Sequence, residues 1–215
     1  MNPFEVVLVT VAALLPIVNP LGGAPIFLAM SADLPPEARH RLATVVARNA
    51  FLMLVAAMLI GSYVLQFFGI SLAIVRVAGG LVLLVAGWKL LHSGQVEPEG
   101  PPVVEAWERE VGRRGFCPIA FPLSVGPGSI SIAITLGART AGPLANTAMT
   151  LVANIVGSAI IALCVYLCYR YASKLIAWLG ETGTNVFLRL SAFITLCIGV
   201  NILWGGIASL IETLR

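Results

Sequence analysis

The sequence predicts an all-α membrane protein: six transmembrane helices forming two inverted three-helix repeats, with helices 1 and 4 broken near the bilayer midplane. Three observations lead there. Hydrophobic residues make up 59% of the 215 residues and charged residues only 11%, with a mean hydropathy of +0.96, whereas soluble domains carry about 25% charged residues. Six apolar windows, near residues 4–30, 42–66, 70–91, 115–138, 144–169 and 186–211, each exceed the roughly 20 residues that a crossing requires and can span with some tilt. Clusters of proline and glycine interrupt the first and fourth windows at corresponding places.

In the first window, Asn19-Pro20-Leu21-Gly22-Gly23-Ala24-Pro25 cannot continue an ordinary helix. Proline removes a backbone donor and clashes with the preceding turn, and glycine loosens it. Freed backbone groups at membrane depth need partners, so such a break survives only where protein or a polar cavity covers it. The N-terminal Met1-Asn2-Pro3-Phe4-Glu5 has no basic n-region or cleavage site, so no removable signal peptide is expected. Glu5 is the only carboxylate within a window, which leaves no buried acidic proton relay.

After the first window, Ser31 to Glu37 combines a capping residue, two prolines and an acid, the start of the second helix. Phe67-Phe68-Gly69, Ala141-Gly142-Pro143 and the segment from Arg170 through Gly183 read as short connections. Residues 93–114 form a polar cytoplasmic linker opened by Pro98-Glu99-Gly100-Pro101-Pro102, with room for a short helix near Val104 to Val111. Residues 1–92 are thus the first repeat and 115–215 the second, together one membrane domain.

Basic residues orient the bundle. With the N-terminus outside, the inner side collects Arg39, Arg41, Arg48, Lys89, Arg109, Arg113, Arg114, Arg170 and Lys174, with Arg189 near that end. Arg76, Arg139 and Arg215 remain outside, an asymmetry that follows the positive-inside rule. Both termini are expected outside.

The two halves carry landmarks in one order. Asn19-Pro20-Leu21-Gly22 is answered by Gly126-Pro127-Gly128-Ser129, Asn49 by Asn154, and Arg76-Val77-Ala78-Gly79 by Arg189-Leu190-Ser191-Ala192. Three spans per half is an odd number, so the second half enters the membrane inverted. Broken helices at matching positions of inverted repeats point to a secondary transporter with its ligand near the midplane.

Each break supplies its own chemistry. The half-helix that follows offers backbone N–H groups and a positive dipole end to a carboxylate, and the half-helix that precedes offers carbonyls to an ammonium. A small zwitterion matches both. Asn19, Pro20, Gly22 and Gly23 facing Gly126, Pro127, Gly128 and Ser129 therefore form the expected substrate site, with further hydroxyls from Ser124, Ser131 and Thr135. Asn49 and Asn154 read equally as polar supports of the site or as interhelical ties. Arg76 and Arg189 suit a structural or gating role better than direct substrate contact. His40 and His92 have no metal-ligand spacing, and no base stands near Ser129, so neither a metal centre nor catalysis is expected. Cys117, Cys164, Cys168 and Cys197 read as inert thiols, and Trp88, Trp107, Trp178 and Trp204 as interfacial anchors.

The runs Asn19 to Phe27, Arg76 to Gly80 and Phe121 to Ile130 resemble the MarC family of six-span membrane proteins, grouped with the LysE-type exporters. The resemblance covers nearly the whole chain outside residues 93–114. It implies a transporter, exporter or importer, of small neutral amino acids such as glycine or alanine across the inner membrane, with proton or sodium coupling left open and no other cofactor. The implied partners are a small zwitterionic amino acid and the lipid bilayer, not nucleic acid; no oligomeric state is implied. Many members carry Asp where this chain has Asn19, so the neutral side chain gives a coupling proton no evident seat. A channel, or a broad-specificity efflux protein for other small solutes, is the alternative.

Overall fold

The structure, a computed structural model, describes residues 2–92, 107–116, 119–138 and 144–213. Most of the expected linker, Cys117, Arg139, Arg215 and the connection at residues 141–143 lie outside these. The described residues form helices α1 (Pro3–Val18), α2 (Pro20–Met30), α3 (Pro36–Phe67), α4 (Leu72–His92), α5 (Trp107–Phe116), a π-helical turn (Ile119–Ser124), α6 (Pro127–Ala138), α7 (Leu144–Arg170) and α8 (Ala172–Thr213). Among them, five stretches are long and apolar enough to cross a membrane: Pro3–Met30, Pro36–Phe67, Leu72–Lys89, Ala148–Arg170 and Thr182–Thr213. The fourth expected window appears as the π-helical turn followed by the shorter apolar α6.

Local chemistry explains the boundaries. The Glu5 carboxylate accepts the Asn2 N–H at 3.2 Å, so the one acid of the first span is tied up at its start. Pro36 opens α3 with Glu37 in its first turn, as the sequence suggested. At its other end Gly69 adopts φ 66°, and the Ile70 and Gly69 N–H groups reach the Leu65 and Gln66 carbonyls at 2.9 and 3.0 Å. That is a Schellman ending, which needs the left-handed residue glycine supplies. The expected connection from Arg170 through Gly183 is instead helical from Ala172, broken only where Gly180 takes φ 68°.

Part of the expected linker is structured as well. α5 lies against α3: Val111 is buried, a Cβ on Gly115 would press on Val45, and Arg114 pairs with Asp33 at 2.8 Å and donates to the Met30 carbonyl at 3.1 Å. Val111 and Gly115, four positions apart, lie on one face of this short helix, and that face is the buried one.

Two packing regions hold the bundle together. The first is an aliphatic core that includes Leu14, Leu42, Leu54, Ile119, Ile161 and Val165, in which Ala24, Ala38, Ala43, Ala47 and Ala50 let α2 and α3 approach their neighbours. The second is the antiparallel pair α4 and α8, which meet backbone to backbone. A Cβ on Gly80 would stand 2.8 Å from the Gly199 carbonyl, and one on Gly199 2.7 Å from the Leu84 nitrogen. Small residues drive helix association where water supplies no hydrophobic force. The exterior is correspondingly apolar: Phe67 and Trp178 are both 84% exposed, and Leu52, Ile60, Val152 and Leu163 are also exposed. Such a surface fits hydrocarbon rather than water.

Candidate functional site

The first break is one residue long. Asn19 adopts φ 44° and ψ 58°, a left-handed conformation that Asn tolerates better than other residues with a side chain. It ends α1 by donating its N–H to the Leu15 carbonyl at 2.9 Å. It also begins α2, its Oδ1 accepting the Gly22 N–H at 3.1 Å and its carbonyl the Gly23 N–H at 3.0 Å. Pro20, at the first position of α2, has no N–H to return to Pro16, so the ladder of α1 stops there. Because the Gly22 N–H requires an acceptor, Oδ1 is the atom that faces it. Nδ2 is left as a donor with no protein partner among the described residues.

The second break is built differently. The Val125 N–H reaches back five residues to the Ala120 carbonyl at 2.8 Å, and the Ser124 hydroxyl donates to the Ile119 carbonyl at 2.9 Å. This π-helical turn ends at Ser124; two residues on, the Gly126 carbonyl accepts from the Ile130 N–H at 3.1 Å and from the Ser129 hydroxyl at 2.9 Å. Single π-helical turns frequently mark functional positions in helices. Pro127 opens α6 as Pro20 opens α2.

A cavity of about 430 Å3 lies between these two helix starts. Asn19, Gly22, Gly23, Gly126, Pro127 and Ser129 line it, six of the eight residues expected to bind substrate. The other two are buried nearby: Pro20 in the first break, and Gly128, where a Cβ would overlap the Leu83 side chain. The rest of the wall is aliphatic, from Ile17, Val18, Ile26 and Met30 on one side and Val82, Leu83 and Ala86 of α4 on another. Thr195 of α8 adds a hydroxyl that donates to the Ser191 carbonyl at 2.8 Å. Sequence reasoning missed the α4 and α8 walls, because an aliphatic residue within a span looks the same whether it faces lipid or a cavity.

Several expected site residues lie outside the cavity lining. Asn49 donates to the Gly115 carbonyl at 3.0 Å, tying α3 to α5. Buried Asn154 accepts from the Thr10 hydroxyl at 2.8 Å and donates to the Leu136 carbonyl at 3.4 Å, tying α7 to α1 and α6. Both have the geometry of interhelical ties. Ser131 is fully buried, its Oγ without a partner among the described residues, beneath Gly79 of α4. Half-buried Arg76 donates from Nε to the Thr135 hydroxyl at 3.4 Å, whereas Arg189 is exposed, so the two arginines occupy unlike surroundings.

Tyr169 is the residue that the sequence did not single out. Buried near the end of α7, it stacks on Phe27 with ring centroids 4.7 Å apart and shares a 2.8 Å hydrogen bond with Ser124. Its hydroxyl also sits where a Cβ on Gly23 would be. One phenol therefore braces both breaks from behind the cavity, and only glycine at position 23 leaves room for it.

Apolar helices with a bare hydrophobic exterior and two interrupted helices around an interior cavity define an integral membrane protein. The chain belongs to the MarC family: the family described as MarC family integral membrane protein matches residues 4–211. Among its relatives, the UPF0056 inner membrane protein MarC of Salmonella arizonae is 27% identical over 219 residues, covering 99% of both chains. The protein of that name from Salmonella typhimurium is 26% identical with the same coverage. The UPF0056 membrane protein YhcE of Escherichia coli is 30% identical over 192 residues, 89% of this chain and 86% of that one. No solved structure matches the chain.

Proposed function

We propose that the protein is a secondary transporter of small neutral amino acids that works by alternating access, not an enzyme. The observation that carries this reading is the cavity bounded by the starts of both α2 and α6. Two helix N-termini turn their positive dipole ends toward one space, which suits a carboxylate, although Asn19 already accepts the Gly22 and Gly23 N–H groups of α2. The Asn19 Nδ2 adds a neutral donor, and carbonyls at the end of α1 suit the ammonium.

Alternating access requires two halves that exchange roles, and the packing supports an inverted repeat of six spans. On α4, Gly80 faces Leu203 and Gly87 faces Leu196; on α8, Gly199 faces Leu84 and Gly206 faces Val77. Residues 77, 80, 84 and 87 thus correspond to 196, 199, 203 and 206, each 119 positions later. The asparagines also tie one half to the other: Asn49 donates to the Gly115 carbonyl of α5, and Asn154 accepts from the Thr10 hydroxyl of α1, both residues of each pair 105 positions apart from their counterparts. On this reading α6 with the preceding π-helical turn is the fourth span, both termini face outward, and the membrane is the inner membrane, in keeping with the names of the Salmonella relatives.

Reconstitution of the purified protein with a panel of labelled neutral amino acids, with and without a proton or sodium gradient, tests the proposal. Saturable movement of at least one is expected, and acceleration by a gradient would identify the coupling ion. Failure of all of them to bind or move overturns it.

A further inference from the structure

We infer that two copies of this chain pair in the membrane through the outward face of α8, with Asn201 of each copy hydrogen-bonded to Asn201 of the other. The inference does not depend on what the cavity carries.

Asn201 is exposed on α8 and has no hydrogen-bond partner among the described residues. Its depth makes that costly. Gly199 packs on Gly80 and Leu84, and Leu203 on Gly80, so Asn201 lies level with residues 80–84 of α4, midway along the Leu72–Lys89 span. Hydrocarbon offers an amide neither donor nor acceptor, whereas Asn49 and Asn154 in other spans both reach partners on neighbouring helices. An amide facing lipid at mid-span is satisfied by bonding across to another helix.

The residues around Asn201 have the spacing of a helix seam. At 3.6 residues per turn, the face opposite Gly199 carries Ile194, Cys197, Asn201, Trp204, Ala208 and Ile211, alternately three and four positions apart. All are exposed except half-buried Ala208. This is heptad spacing, with Asn201 at the central a position and Trp204 at d. In such a seam the Trp204 ring of one copy enters a hole made by Asn201, Trp204, Gly205 and Ala208 of the other. A Cβ on Gly205 would meet nothing within 4 Å, so the hole is open on this helix.

Geometry selects a second copy as the occupant. Both copies have one orientation in the bilayer, so their α8 helices run parallel and Asn201 meets its own equivalent at the same depth. An amide both donates and accepts, so the contact is self-complementary about a twofold axis, and one such contact closes at two copies. The matching face of α4 is not free to do likewise, since Val82 and Ala86, 119 positions before Asn201 and Gly205, line the cavity.

The test uses the full chain in proteoliposomes at increasing dilution in lipid, with single-molecule photobleaching to count copies. With Cys117, Cys164 and Cys168 replaced by Ser, oxidation by copper phenanthroline should join two chains through Cys197 and give no larger species. Asn201→Leu should shift the monomer–dimer midpoint by about tenfold, the worth of one interhelical amide contact in lipid. Asn201→Gln keeps the amide and should stay within about threefold of the unaltered chain. Leucine at a lipid-facing position leaves the fold intact, which an unchanged helical circular dichroism signal verifies. Single chains at every dilution, with lipid alone covering the face, overturn the inference. So do assemblies larger than two, dimers that Asn201→Leu leaves unaltered, or the absence of a Cys197 cross-link.

Discussion

Asn19 acts through its backbone conformation and its side chain, and two substitutions separate these contributions. Asn19→Ala removes the Oδ1 acceptor for the Gly22 N–H, a capping loss of about 1 kcal/mol. It also places an alanine at φ 44°, which costs a further roughly 1–2 kcal/mol. The expected total is about 2–3 kcal/mol, equivalent to roughly 4–12 °C in the unfolding midpoint for a chain of this size. Asn19→Gly also loses the cap, but glycine is unstrained in this conformation and is a tolerable capping residue, so its cost is a few tenths of a kcal/mol, about 1 °C. Thermal unfolding of the purified protein in detergent measures the difference. Both variants lose the Nδ2 donor of a residue that lines the cavity, so both should bind substrate more weakly even though only one is markedly less stable. Equal midpoints for alanine and glycine, or a larger loss for glycine, would refute the claim that the break depends on a left-handed residue.

A Cβ at Gly22 would collide with Nδ2 of Asn19 and stand 2.9 Å from its Oδ1. Gly22→Ala should therefore weaken substrate binding at least about tenfold, while the roughly 1 kcal/mol gained in helix propensity offsets the lost cap of about 1 kcal/mol and leaves the unfolding midpoint nearly unchanged. Tyr169→Phe keeps the stacking on Phe27 but loses the 2.8 Å bond to Ser124. It should cost about 1 kcal/mol, and a double-mutant cycle with Ser124→Ala should show that the two changes are not additive. Arg114→Ala and Asp33→Ala, tested in the same way, should reveal a coupling of at most about 1 kcal/mol across their 2.8 Å ion pair, smaller at high salt.

The breaks were legible in the sequence because proline and glycine act on the backbone locally, wherever the helix lies. Asn19-Pro20 and Gly126-Pro127 mark both helix starts to the residue. The matched asparagines were legible as a pair, yet their role as ties required knowing that Gly115 and Thr10 face them. Matching Arg76 with Arg189 fails in the packing, because the 119-position register of α4 and α8 pairs Arg76 with Thr195, and one arginine reaches Thr135 while the other is exposed. Tyr169 was invisible for a physical reason: an aromatic residue near the end of a span usually marks the water interface, and only the fold brings it against Gly23 and Ser124. The aliphatic walls on α4 were hidden likewise, since hydrophobicity alone cannot distinguish a cavity from the lipid face.

Counterflow in proteoliposomes tests the transporter reading most directly. Vesicles containing the protein are loaded with an unlabelled neutral amino acid and diluted into a trace of the labelled one. A carrier with one cavity that opens to alternate sides should accumulate label transiently, saturate with internal substrate, and lose this behaviour in Gly22→Ala. Entry of label that neither saturates nor depends on internal substrate would contradict alternating access.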